Sequence, residues 1–501
     1  MLKFLLNILL LALCVCVNAQ TSKRIEIINA DSTIANTINH PEYLRLLNNV
    51  VFKHNSTTMS CDSAYHYSEL NKIEAFGDVI IQQGDSLRLT GNKLRYLSDN
   101  NIAVITGKVK LIDKYMTLET EKIIYNLNEN IGVYPSNGKI IDDSKSIYSV
   151  RGEYHASTYN FIFTDSVKII DKEYQVFTDN MIYNTKSETS FFFGPSIIVS
   201  EENKIFCENG WYNTNTLQSK FFNNAYIQSD SQILKGDSIF YDQNKQYGKA
   251  SQNVHLIDSI NNIEIFGDQA EFFIRKDFYI FTKEPLAKII QEEDTTFISA
   301  NNFLYHNLEN DEKLIAFNNV EIYQHNMQAK CDSFSYDLEY SKIELFDNPT
   351  LWVDEFQINS DSMKVFLDED ENLKSMICSP NPMIISKVDS FNYNQLAGSI
   401  MKIYFNENTI STIRIEGNSQ SLFVISDEKT NDKIGFNATK CSEISLYFKE
   451  NKIESINYNI KPNSTITPYD EIKEKDKYLD GFIWKELDQQ RIKLKYLIDN
   501  K

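Results

Sequence analysis

Along most of this chain apolar and polar residues alternate with a period of two, the pattern of a half-buried strand whose every second side chain faces inward. Residues 89–113, LTGNKLRYLSDNNIAVITGKVKLID, show the unit. Leu94 and Tyr96 share one face, and the cluster Ser98-Asp99-Asn100-Asn101 follows. Asn and Asp tolerate the backbone of tight turns without glycine, so the chain reverses or bends there. A second apolar run, with Ile102 and Val104, leads to a third of the form G-x-V-x-L: Gly107, Val109 and Leu111. The inward parity flips at Gly91 and Gly107, as a bulge or a sheet-to-sheet corner requires.

This unit recurs. Tyr67, Tyr96, Tyr125, Tyr154, Tyr183, Tyr212 and Tyr241 stand 29 residues apart. Ile123 with Tyr125, Met181 with Tyr183 and Ile239 with Tyr241 repeat the Leu94–Tyr96 pairing. Ahead of each marker sits a small residue and a polar one, read as a turn-former: Gly91-Asn92, Cys207-Glu208, Gly236-Asp237 and Cys331-Asp332 among them. Beyond Tyr241 the spacing loosens, with Phe272, Tyr305, Tyr336 and Val365 as markers. The fold class is all-β, an extended repeat-built body with one continuous core. An antiparallel jellyroll and a parallel solenoid both satisfy the pattern. Residues 20–60 form a lead-in with an amphipathic stretch at Glu42–Leu47 and a strand-like Val50-Val51-Phe52. The repeats run over 61–385 and divergent β repeats over 386–468; residues 469–501 are a helical tail broken near Gly481, with Ile483, Leu487, Leu494 and Leu497 at helical spacing.

The first nineteen residues read as a cleavable signal peptide: Lys3, an apolar core from Phe4 to Val17, and Val17-Asn18-Ala19 before Gln20. No other run approaches the roughly 18 apolar residues of a membrane-spanning helix. The net charge of −19 argues against nucleic acid as a partner. Cys61, Cys207, Cys331, Cys378 and Cys441 fit no zinc spacing, and Cys207 and Cys331 fill the small-residue slot of the repeat. They read as buried apolar side chains.

Catalytic patterns are missing from the sequence. The seven histidines are scattered, and neither a nucleophile elbow nor a phosphate-binding glycine loop occurs. The acidic run from Asp368 to Glu371 lacks the glycine and distal glutamate of a calcium loop and falls where each copy has its polar turn. The expectation is a protein that is no enzyme and holds neither cofactor nor metal.

The recurring small-polar pair, apolar-x-Tyr strand, polar turn and G-x-V-x-Ile/Leu run, clearest over residues 61–111, resembles the OstA-like family. That family includes the lipopolysaccharide-transport protein LptA and the N-terminal domain of LptD. The resemblance implies an antiparallel β-jellyroll, open along one edge, whose apolar interior receives lipid A acyl chains and passes lipopolysaccharide towards the outer membrane. On that reading Leu94, Tyr96, Val104, Val109, Leu111, Ile123, Tyr125, Met181, Tyr183, Ile239 and Tyr241 line the lipid groove. It also implies a periplasmic location, with or without peripheral attachment to the outer membrane, and partners among other β-jellyroll components or further copies through edge-strand pairing. The edge near Val51 is expected to lie uncovered, and the helical tail to cap the opposite edge. This chain departs from the family in its greater length, looser C-terminal third and helical tail. A structural or adhesive β-solenoid with a filled core is the alternative, and a carbohydrate-active β-helix a more distant one.

Overall fold

The computed structural model describes residues 24–498, apart from 85–86, 143–144, 292–293, 309–310, 370–371, 407, 428, 431 and 451. The signal-peptide segment lies outside the described residues. The chain divides into two compact units, Met1–Ser219 and Lys220–Lys501.

In the first unit the strands His40–His54, Thr57–Tyr67, Lys72–Gln83, Leu87–Leu97, Ile102–Ile112 and Thr117–Asn126 run as a meander, each antiparallel to the next. This resolves the topology that alternation left open. Each strand is bent midway, and every second one carries a bulge at the bend. Register shifts fall between Leu47 and Val50, Phe76 and Val79, and Thr106 and Val109. At these points two successive residues adopt positive φ: Asn48-Asn49, Gly77-Asp78 and Gly107-Lys108. Only glycine and short polar side chains enter that region readily. On the bulged strand burial keeps its parity, with Ala103 and Ile105 buried before the bend and Val109 and Leu111 after it, so the flip expected at Gly107 does not occur. On the neighbouring unbulged strand parity does change, from Leu87 and Leu89 to Leu94 and Tyr96, as expected at Gly91. Each strand therefore contributes one half to each of two layers, with its apolar residues between them. The small-polar pairs mark this bend, the corner expected at Gly91. A Cβ on Gly77 would fall 2.9 Å from the Cβ of Asp62 and closer still to its carboxylate, so the pair Cys61-Asp62 fits against a glycine corner.

The register explains the spacing of the tyrosines. Tyr96 lies opposite Ala103, Ala103 opposite Tyr125, Tyr125 opposite Gly132 and Gly132 opposite Tyr154; Phe161, Tyr183, Ser190 and Tyr212 continue the line. The marker recurs at every second strand, and except at Phe161, which stacks on Tyr154, small residues between markers make room for the rings: a Cβ on Gly132 would come within 2.9 Å of the Tyr125 ring. The other layer carries an aliphatic line, from Phe52 and Met59 through Ile81, Leu89, Leu111 and Leu118 to Ile140, Ile147 and Ile169. An aromatic row thus faces an aliphatic row.

The lead-in is part of this sheet. Glu42–Leu47 belongs to the strand His40–His54, and the short strands Glu26–Asn29 and Ser32–Asn36 pair with that strand. Asn29 lies opposite Val51, so the edge expected to be bare at Val51 is covered.

The second unit repeats the plan. Its marker row runs Tyr241, Gly248, Phe272, Tyr279, Tyr305, Leu314, Tyr336, Ile343, Val365, Met376 and Ile403. Beyond the last sheet strand, Asn463–Pro468, come a 3-10 turn at Glu474–Lys477 and a helix at Glu486–Ile498. This tail does not cap the C-terminal edge. It returns across the outer face of the sheet, where Ile492 packs with Tyr323 and Trp352. Two glutamines hold it there. Gln357 donates to the carbonyl of Ile483 (2.6 Å) and accepts from the amide of Lys485 (2.7 Å); Gln395 donates to the carbonyl of Lys477 (2.8 Å) and accepts from the amide of Leu479 (2.8 Å). Strands beneath the tail are buried on both faces, as in Thr350–Val353, where alternation disappears.

Candidate apolar site between the sheet layers

Most of the residues predicted to line a groove do point between the layers. Leu94, Tyr96, Val109, Leu111, Ile123, Tyr125, Met181, Tyr183 and Ile239 are buried, and Tyr241 is half-buried. Val104 is the exception. Its cross-strand neighbours are Arg95 and Ile124 on the outer face, and the inward residues of its strand are Ala103 and Ile105.

The tyrosines do more than fill space. Hairpin turns of both layers lie along the edge opposite the bends, and the marker hydroxyls cross that mouth. Tyr96 Oη meets Nδ1 of His54 at 2.5 Å. Tyr154 donates to Oδ2 of Asp113, Tyr183 to Oδ2 of Asp142, and Tyr305 to Oδ2 of Asp258 at 2.8 Å. Burial, then the bonded carboxylate, pushes the Tyr154 and Tyr183 hydroxyls far above the usual phenol range. For Tyr305 the order is burial, then the charge of Asp258 and its hydrogen bond. These hydroxyls stay protonated donors. Sequence reading missed the acceptor series, although its signal is present: His54, Gln83, Asp113, Asp142, Asp171 and Asp258 lie near multiples of the same 29-residue period. At the Tyr125 rung the series lapses. Among the described residues neither Tyr125 Oη nor Gln83 Oε1, both buried, has a hydrogen-bond partner.

In the second unit the marker row changes from Tyr336 to Val365 and Met376, which have no hydroxyl to cross the mouth. Here the layers part around a cavity of about 80 Å³. Ile298, Ile322, Ala329 and Leu351 line it from one layer, and Phe334, Tyr336, Leu345, Val365 and Met376 from the other. Its polar rim includes Gln291, Thr296, Gln324 and Asn408, and among the described residues no charged side chain lines it. What it offers is dispersion contact and exclusion of water.

The chain's other chemistry is muted. Burial pushes the thiol of Cys61 up to about 11 and those of Cys207, Cys331 and Cys378 up to about 12, so none is a ready nucleophile. Among the described residues no three of His, Cys, Asp and Glu gather in a metal-binding arrangement. Asp368 and Asn372 close the acidic run as a tight turn, the Asp368 amide donating to the Asn372 carbonyl at 2.9 Å; residues 370–371 lie outside the described residues.

These features define a class: an all-β antiparallel repeat protein of bent strands whose two layers enclose an apolar interior. Residues 22–179 and 170–231 match the family described as OstA-like protein. No curated protein matches the chain. Among solved structures, LptH from Pseudomonas aeruginosa, the LptA homologous periplasmic component of a lipopolysaccharide transport device, is 16% identical. That match covers 27% of this chain and 81% of LptH with a TM-score of 0.15. The WD40 domain of SCAP from fission yeast is 10% identical over 85% of this chain and 98% of that one, with a TM-score of 0.10. At such scores neither likeness carries an argument.

Proposed function

We propose that this protein is a non-enzymatic carrier of lipopolysaccharide, holding acyl chains between its sheet layers while the lipid passes towards the outer membrane. The observation that carries the reading is the apolar cavity between the layers at Val365, where the tyrosine closure of the mouth ends. Drawing an acyl chain into water costs about 0.8 kcal/mol per methylene, so a dozen methylenes cost about 10 kcal/mol. A dry apolar interior offsets that. The OstA-like match supports lipopolysaccharide as the lipid class. The reading places the protein in the periplasm after removal of residues 1–19. Its partners there are other β-jellyroll components that add strands at its edges, where short exposed strands such as Ser32–Asn36 and Asn463–Pro468 lie.

The experiment is photocrosslinking from benzoylphenylalanine placed at Val365, Leu345, Tyr125 or Arg95 in the presence of lipopolysaccharide. Adducts from Val365 and Leu345 and none from outward-facing Arg95 are expected; silence at every interior position would sink the reading. A second reading has its own observation. Tyr96, Tyr125, Tyr154 and Tyr183 are wholly buried against their neighbours, which favours the first unit as a filled structural spacer. Adducts from Val365 with none from Tyr125 would assign carriage to the second unit and spacing to the first.

A further inference from the structure

The tail and the cavity lie back to back across one sheet layer. On the strands Asp311–Gln324, Met327–Asp337 and Thr350–Val353, Ile322, Ala329 and Leu351 line the cavity. Their sequence neighbours Tyr323, Lys330 and Trp352 face the tail. Tyr323 and Trp352 pack with Ile492, and Lys330 lies 3.7 Å from Asp488. Further ties span the same wall: Lys485 Nζ donates to Oγ1 of Thr350 (2.8 Å), and Lys495 Nζ to Ser299 Oγ (2.8 Å) and Glu321 Oε2 (3.1 Å). Every contact of this kind fixes one strand of the wall relative to the next.

The cavity at rest is small. Its 80 Å³ holds roughly six water-sized spheres at about 10–15 Å³ each, and a chain of a dozen methylenes does not fit. An acyl chain therefore occupies a state in which the layers have moved apart, while the tail's contacts are made to the wall as it stands closed. Two ligands that favour opposite states of one element oppose each other, by the same factor in both directions.

We propose that residues 470–498 are an autoinhibitory strap: docked through Gln357, Gln395 and Trp352, it holds the cavity shut, and its release opens the cavity to a single acyl chain. The proposal rests on the lipid-carrier reading. The aliphatic and aromatic side chains that line the cavity commit the occupant to an apolar chain. Gln357 and Gln395 act as positioning residues, since neither lines the cavity and both grip the backbone of the strap.

The test uses a fluorescent long-chain fatty acid as probe and the protein in six forms: the full-length parent, a deletion of 470–501 and the double variant Gln357→Leu/Gln395→Leu, each with and without Ala329→Trp, which fills the cavity. Circular dichroism checks that each keeps its sheet; should the deletion or Ala329→Trp fail to fold, the glutamine variant and Leu351→Trp carry the test. Binding that Ala329→Trp abolishes is the cavity's, and the remainder, from newly bared Trp352 and Tyr323, is subtracted. Cavity-specific affinity is expected to rise about tenfold on strap release, within the roughly 5–150-fold span of ordinary couplings, with faster association. Unchanged or weaker cavity-specific binding after release overturns the strap and leaves the carrier reading standing. Parent binding indifferent to Ala329→Trp overturns both.

Discussion

The hydroxyl of Tyr305 donates to Oδ2 of Asp258 at 2.8 Å, joining the two layers of the second unit across 47 residues of chain. Asp258 is buried and also accepts from Gln232 Nε2 (2.9 Å) and from the amides of Ile260 and Asn261 (3.0 Å each). One carboxylate thus fixes a turn and closes the mouth above it.

Removing one bond from this cluster should cost less than removing its centre. Tyr305→Phe is expected to lose about 1–2 kcal/mol, and Asp258→Ala about 3 kcal/mol or more because several buried donors lose their acceptor together. Urea unfolding of both variants checks the order. A Tyr305→Phe loss equal to that of Asp258→Ala would mean that the layer-to-layer bond, and not the turn, dominates.

Tyr125 predicts the opposite sign. Its hydroxyl is buried without a partner among the described residues, so Tyr125→Phe should be neutral or stabilising by up to about 1 kcal/mol. Tyr154→Phe, which strips a donor from Asp113, should destabilise. Parallel thermal melts suffice, and equal losses at the two rungs would refute the assignment.

The corners should discriminate between residues by backbone and not by polarity. Gly77 has φ +74°, and a Cβ there would crowd Asp62. Gly77→Ala is therefore expected to cost about 1–2 kcal/mol, whereas Asn48→Gly, at the equivalent corner of an earlier strand with φ 58°, should change stability by only a few tenths. Chemical denaturation reads both.

Acid sensitivity should include a contribution from His66, whose imidazole burial holds below its ordinary value of 6.5 and whose Nδ1 has no partner. In the unfolded chain it takes up a proton near pH 6.5, in the folded chain only lower, so the unfolded state binds more protons in between. Stability is then full above about pH 6.5 and is lost as the pH falls through the folded value. His66→Phe should flatten that decline. An unchanged slope of stability between pH 7 and pH 5 would exclude the residue.

Period and parity make the strands, the bends and most of the inward rows legible in the amino-acid sequence, because the bends leave two signatures on alternate strands: residues tolerant of positive φ where the extra residue of the bulge keeps parity, and a parity flip on the unbulged partner. Val104 shows where that reading fails. Its strand's inward position is Ala103, small because it lies between Tyr96 and Tyr125, and hydrophobic size then favours the wrong parity. The tail is legible as a helix but not in its placement. What places it is two buried glutamines, Gln357 and Gln395, whose partners lie 126 and 82 residues away for the bonds they donate, far beyond any local pattern. The cavity is foreshadowed only by Val365 and Met376, where the hydroxyl-bearing markers stop.

A meander of bent strands also fixes how such a chain can change its length. Every strand crosses from one layer to the other at its bend, so removing a single strand would move every later tyrosine to the opposite layer. Removing a full hairpin, from one marker to the next, leaves every remaining tyrosine and carboxylate in its own layer. The smallest permitted increment is therefore two strands, about 9.6 Å of sheet at 4.8 Å per strand. Hairpin number acts as a ruler, set by counting and independent of whatever the interior holds.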